Sequence, residues 1–134
     1  MKLQLGFEVE INQSIDQAID TVTAALKTQG FGVLTRIDVQ ATLKEKINAD
    51  FRPYVILGAC NPPLAHQALS TDPWIGLLLP CNVTVEAVDS HRSLVRLTDP
   101  GAMVNLSEKA GEMQELARLG HQKMAAVASA LHTI

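Results

Sequence analysis

The sequence predicts one α+β domain spanning residues 1–134, in which a mainly antiparallel sheet of about five strands is backed by a long C-terminal helix and an N-terminal helix. Three observations predict it. Several short segments alternate apolar and polar residues with a period of two, as strands with one buried face must. Two longer segments, one near each end, repeat apolar residues every three or four positions, as helices packed on a core must. The chain has 134 residues, 47% hydrophobic and 19% charged, which suits one core and is too apolar to stay unfolded in water.

The elements follow in order. Leu3, Leu5, Phe7, Val9 and Ile11 alternate with Gln4, Gly6, Glu8 and Glu10, giving the first strand. Ser14 and Gln17 form a capping box ahead of Ile15, Ala18, Ile19, Val22, Ala25 and Leu26, and Gly30 ends that helix. Phe31, Val33, Thr35 and Ile37 make a second strand. Asp38 then caps a short surface helix whose apolar residues, Val39, Leu43 and Ile47, are spaced by four. Arg52–Pro53 breaks it. Tyr54–Cys60 is a continuous apolar run with β-branched residues, which places a strand near the sheet centre. Asn61 followed by Pro62 supplies an N-cap and a first-turn proline for a helix to about Leu69. Trp74–Pro80, bounded by prolines, fits either a helical turn or an extended crossover. Asn82–Val88 and Ser93–Thr98 form a hairpin, closed off by the turn residues Asp99, Pro100 and Gly101. Ser107–His132 is the longest helix, with Leu116, Gly120, Met124, Val127 and Leu131 on its apolar stripe.

Composition excludes several functions. The formal charge is −3 with no basic run, so nucleic acid is not an expected partner. No apolar stretch is long enough to span a membrane. Met1–Ile11 alternates where a secretory signal is continuously apolar, so the expected location is cytoplasmic. Aromatic residues make up 4%, too few for a base-stacking platform. Phosphate-loop, dinucleotide, nucleophile-elbow and HExxH patterns are missing, and no motif names a cofactor.

The chemistry concentrates around two cysteines. Cys60 and Cys81 stand 21 residues apart, which is neither a CxxC nor a zinc-finger spacing. Cys60 falls between a strand end and a helix N-terminus, a setting that favours a thiolate. If Cys81 begins a neighbouring strand, three readings are open. Cys60 and Cys81 are candidate catalytic residues, nucleophile and resolving thiol. With His66 they are candidate ligands for a soft metal. Cys60, Asn61, Cys81 and Asn82 are candidate ligand-binding residues, in a pocket that Leu57 and Leu78 would also line. Plainer roles compete with each. Buried free cysteines serve as small hydrophobes, Asn61 as an N-cap, Glu86 as a solvent-face residue and Asp99 as a turn initiator. His91, His121 and His132 are expected in solvent. Trp74 and Leu77–Leu79 are too apolar for a solvated connection and fit a subunit interface or a lid.

The stretch Tyr54-Val-Ile-Leu-Gly-Ala-Cys-Asn-Pro, the segment Leu79-Pro-Cys-Asn-Val, and Asp99-Pro100 with Met103 resemble the domain of unknown function 302 family. Asp38-Val-Gln-Ala-Thr-Leu-Lys-Glu-Lys fits it too, so the likeness runs through most of the chain. The resemblance implies a small bacterial or archaeal α+β domain of TATA-binding-protein-like architecture, often a homodimer, with no established activity. Its motif positions here are Cys60, Asn61, Pro62, Pro80, Cys81, Asn82, Asp99, Pro100 and Met103, none with an assigned role. The expectation is therefore a homodimeric, non-enzymatic small-ligand-binding or accessory protein, with thiol redox or soft-metal binding as alternatives.

Overall fold

The computed structural model describes residues 4–134, so Leu3 of the first alternation lies outside the described residues. The elements run β1 (Gly6–Ile11), α1 (Ile15–Thr28), β2 (Gly32–Asp38), α2 (Val39–Ile47), β3 (Tyr54–Cys60) and α3 (Pro62–Thr71). A 3-10 turn (Pro73–Leu78), β4 (Cys81–Ala87), β5 (Ser93–Thr98), α4 (Pro100–Val104), a second 3-10 turn (Ala110–Met113) and α5 (Gln114–Leu131) complete the order. The strands form one sheet, β1-β5-β4-β3-β2, and every neighbouring pair is antiparallel. This is the α+β class expected. Among the described residues no helix is long and apolar enough to cross a membrane.

Local chemistry explains where the elements begin. Ser14 accepts from the Gln17 N–H while the Gln17 side chain reaches back to Ser14, the reciprocal bonding of a capping box. Asp38 accepts from the Ala41 N–H at 2.9 Å and starts α2, which buries none of its residues. Gly30 follows α1 with φ of +81°, a conformation that a side chain would strain.

The period of two divides the sheet into unlike faces. Val9, Ile11, Val55, Leu57, Val83, Val85, Val95 and Leu97 point to one face, where α1 and α5 cover them. A second, smaller cluster joins Ala68, Ile75, Val104, Met113, Leu116 and Ala117, none of them on a strand. Helix α5 serves both, with Leu116 and Ala117 in the small cluster and Met124, Val127 and Leu131 in the large one.

Three features depart from expectation. The helix expected from Ser107 starts only at Gln114. Ser107 is instead bonded to the buried Asp72 carboxylate, and the Lys109 ammonium donates to the Thr71 carbonyl at 3.1 Å, so this stretch is tied to the end of α3. The Trp74–Pro80 ambiguity resolves as a 3-10 turn, because Asp72 accepts from the Trp74 N–H at 3.1 Å with Pro73 in the first position. Glu86 does lie on the face opposite the core, yet it is only 5% exposed, because Arg52 and Arg96 both close on its carboxylate.

Burial pushes the Glu86 carboxyl upward, but the hydrogen bonds and charges of Arg52 and Arg96 prevail and hold it below its ordinary 4.5. A carboxylate with a depressed pKa stabilises the fold above its unfolded value and loses that contribution as pH falls through the folded one. Glu86→Gln should therefore melt below the native protein at neutral pH. The gap should narrow once the pH drops below about 4. Melting curves with a constant gap down to about pH 2 would contradict the ion-pair assignment.

Candidate functional site

The site is built where β3 turns into α3. The Asn61 side chain accepts from the Leu64 N–H at 3.3 Å and so caps α3. Its amide donates to the Gln29 carbonyl at 3.1 Å, which fastens this turn to the end of α1. Alongside, β4 begins with Cys81 paired across from Ala59. Helices α3, α4 and α5 and the first 3-10 turn then close around this end of the sheet.

They line an open pocket of about 310 Å³. Phe31 and Ala59 from the main core form its floor, while Ala68, Ile75, Val104 and Leu116 from the smaller cluster form its walls. Leu34 and Leu69, both exposed, stand at its rim. The cavity thus lies on the seam between the two apolar clusters. Its lining is apolar apart from Asn61 and the thiols of Cys60 and Cys81.

Cys60, Asn61 and Cys81 each contribute to this lining, but the two cysteines are not close neighbours, because Cys81 shares a face with its cross-strand partner Ala59 and Cys60 is the next residue along; the other candidates lie elsewhere. Asn82 is exposed on the opposite face of the sheet, where its carbonyl accepts from the Thr98 hydroxyl at 2.6 Å. The period of two requires this, since neighbours on a strand cannot share a face. Leu57 is buried in the main core, and Leu78 turns outward while Leu79 takes the place on the cavity wall. His66 is exposed on α3 and does not line the cavity. Among the described residues no three His, Cys, Asp or Glu side chains converge as metal ligands.

The thiols are not paired with each other. Both are free, Cys60 half-buried and Cys81 buried. The Cys81 sulfur instead meets the thioether of Met103 at 3.8 Å. Burial, with the charges of Cys60 and Asp99 adding, pushes the Cys81 thiol up to about 11. A thiol so held stays protonated at neutral pH, which disfavours it as a resolving nucleophile.

Two features escaped the sequence reading. Asp99 is more than a turn initiator, because it accepts from the Gly101 N–H at 2.9 Å and caps α4. Its other oxygen lies 2.8 Å from Nδ1 of His121 on α5, and that ring packs near Phe7 at 5.5 Å between centroids. His121 is exposed, as expected, and in addition ties α4 to α5 through Asp99. Asp99-Pro100 repeats the cap-then-proline pattern of Asn61-Pro62, and that was the available signal. Met103 reaches the cavity on α4, the helix this cap creates.

The fold and site define a small single-domain α+β protein with one face of an antiparallel sheet open and an apolar, thiol-bearing cavity at its covered end. The family model described as Domain of unknown function DUF302 matches residues 7–131, and the chain belongs to that family. It is similar to the crystal structure of an uncharacterized conserved DUF302 protein from Bacillus stearothermophilus, with a TM-score of 0.84 and 27% identity over 96% of this chain and 99% of that one. None of the curated proteins matches it.

The unequal burial of the two thiols has a direct chemical consequence. Iodoacetamide applied to the native protein near pH ~8 should modify Cys60 and spare Cys81, with Cys81 reacting only after denaturation. Peptide mass spectrometry reads the result. Equal labelling of both residues in the folded state would refute the burial described here.

Proposed function

We propose that the protein is a homodimeric, non-catalytic binding protein whose cavity takes a small, neutral, largely apolar molecule. The cavity itself carries this reading. A pocket of about 310 Å³ falls within the size range of small-molecule sites. An apolar cavity of about 150 Å³ accommodates benzene, so this one suits roughly a dozen heavy atoms. A charged ligand would shed its hydration without gaining a counter-charge, because among the described residues no Asp, Glu, Lys or Arg lines the space. The Asn61 amide is committed on both sides, to Leu64 and to Gln29, and so acts as scaffold more than as a ligand hook.

The apolar surface beside the mouth favours a second copy. Trp74 is 77% and Leu77 78% exposed, on the same 3-10 turn whose Ile75 lines the cavity. Leu69 packs beside Gly76 of that turn and continues the patch to the rim. Covering such side chains contributes about 1.5–3 kcal/mol each. Thiol redox is the weaker reading, since the two sulfurs are unpaired and the Cys81 thiol holds its proton.

Naphthalene is a suitable neutral probe. Titrated into the protein and followed by methyl NMR, it should give saturable shifts at Leu64, Ile75 and Val104. Ala65→Trp, which fills the space from a half-exposed position, should weaken binding about tenfold or more without lowering the melting temperature. Shifts that never saturate, or binding unchanged in that variant, would refute a ligand cavity. Sedimentation equilibrium should give twice the chain mass for the native protein and the single chain mass for the Trp74→Asp, Leu77→Asp double variant. A monomeric native protein would refute the dimer.

A further inference from the structure

We infer that Cys81 and Met103 form a binding site for Cu(I) on the cavity wall. The inference does not depend on the apolar ligand proposed above, because it rests on different atoms. Cys81 opens β4 and Met103 sits on α4, and the fold sets their sulfurs 3.8 Å apart on the lining of the pocket. Thiolate and thioether together are a soft donor pair of the kind that selects Cu(I) over harder ions. A metal about 2.3 Å from each sulfur would subtend an angle of roughly 110°, near that of a three-coordinate centre with one position open to the cavity.

Charge decides which cation fits. Binding breaks the Cys81 S–H bond, forms an S–Cu bond and releases the proton to solvent, with no change in oxidation state. One thiolate and one Cu(I) then sum to zero, which an apolar wall tolerates. Zn(II) on the same donors would leave a net positive charge, and the nearest carboxylate, Asp99, is already engaged by the Gly101 N–H and by His121. Cys60 lines the same space, but its thiol is not in contact with the Cys81–Met103 pair and is not assigned as a ligand.

The test is an anaerobic competition in which the purified full chain draws Cu(I) from its bicinchoninate complex, followed by the absorbance of the chelate. The native protein should take one Cu(I) per chain and leave Zn(II) unbound. Met103→Leu keeps the volume of the side chain and removes the donor, so it should weaken Cu(I) uptake about tenfold or more. Cys81→Ser should abolish uptake, and Cys60→Ser should leave it within about threefold of native. X-ray absorption at the copper edge should show sulfur neighbours. Native-like competition by Met103→Leu, or uptake that disappears in Cys60→Ser while surviving in Cys81→Ser, would overturn the assignment. Should Cys81→Ser melt far below the native protein, the Met103→Leu result decides alone.

Discussion

The architecture depends on the contact between Gly120 and Pro100. Helix α5 is the one element shared by both apolar clusters, and Gly120 stands between its two sets of buried residues. A Cβ at that position would lie 2.8 Å from Pro100 Cβ, so the missing side chain is what lets α4 settle against α5. Gly120 and Pro100 both line the cavity, whose walls come from one cluster and whose floor comes from the other. A glycine in mid-helix costs about 1 kcal/mol relative to alanine, and here that cost is linked to the close approach of α4.

Capping holds the two sides of that void in place. Asn61 fastens α3 to the end of α1, and Asp99 fastens α4 to α5 through His121. Each is an acceptor followed by proline, and each uses its second polar atom to reach a different element. The polar groups nearest the cavity are thus consumed by the scaffold. What remains facing the interior is hydrocarbon and sulfur, which favours binding of soft or apolar species over acid–base chemistry.

Much of the fold was legible because its signals are local. The capping box at Ser14, the Asp38 cap, the Asn61-Pro62 start and the alternation of β4 and β5 are each contained within a few residues, and each appears where those residues predict. The site was legible only in part. Cys60, Asn61 and Cys81 all border the pocket, but the two cysteines do not meet, and Asn82 fails a test the sequence already contained, since its neighbour Cys81 faces the core. Other features depend on contacts made by folding. Glu86 is closed over by Arg52, 34 positions away, and Met103 meets Cys81 across 22 positions. Neither pairing follows from spacing. The Ser107–Met113 stretch has helical periodicity, yet the tie between Ser107 and Asp72 overrides it.

Strand β4 shows how one alternation assigns the chemistry of both faces. Cys81, Val83 and Val85 are buried on the covered side, while Asn82, Thr84 and Glu86 occupy the other. The ionised groups of Glu86, Arg52, Arg96 and Glu8 therefore gather across the sheet from the thiols. A slip of one residue would exchange the two sets and bring a carboxylate into the apolar core. The pairing of Val83 with Leu57 on one side and Leu97 on the other opposes such a slip, because all three are buried on the same face. The register that protects the core is thus also the condition that keeps Glu86 and its arginine partners on the face away from Cys81.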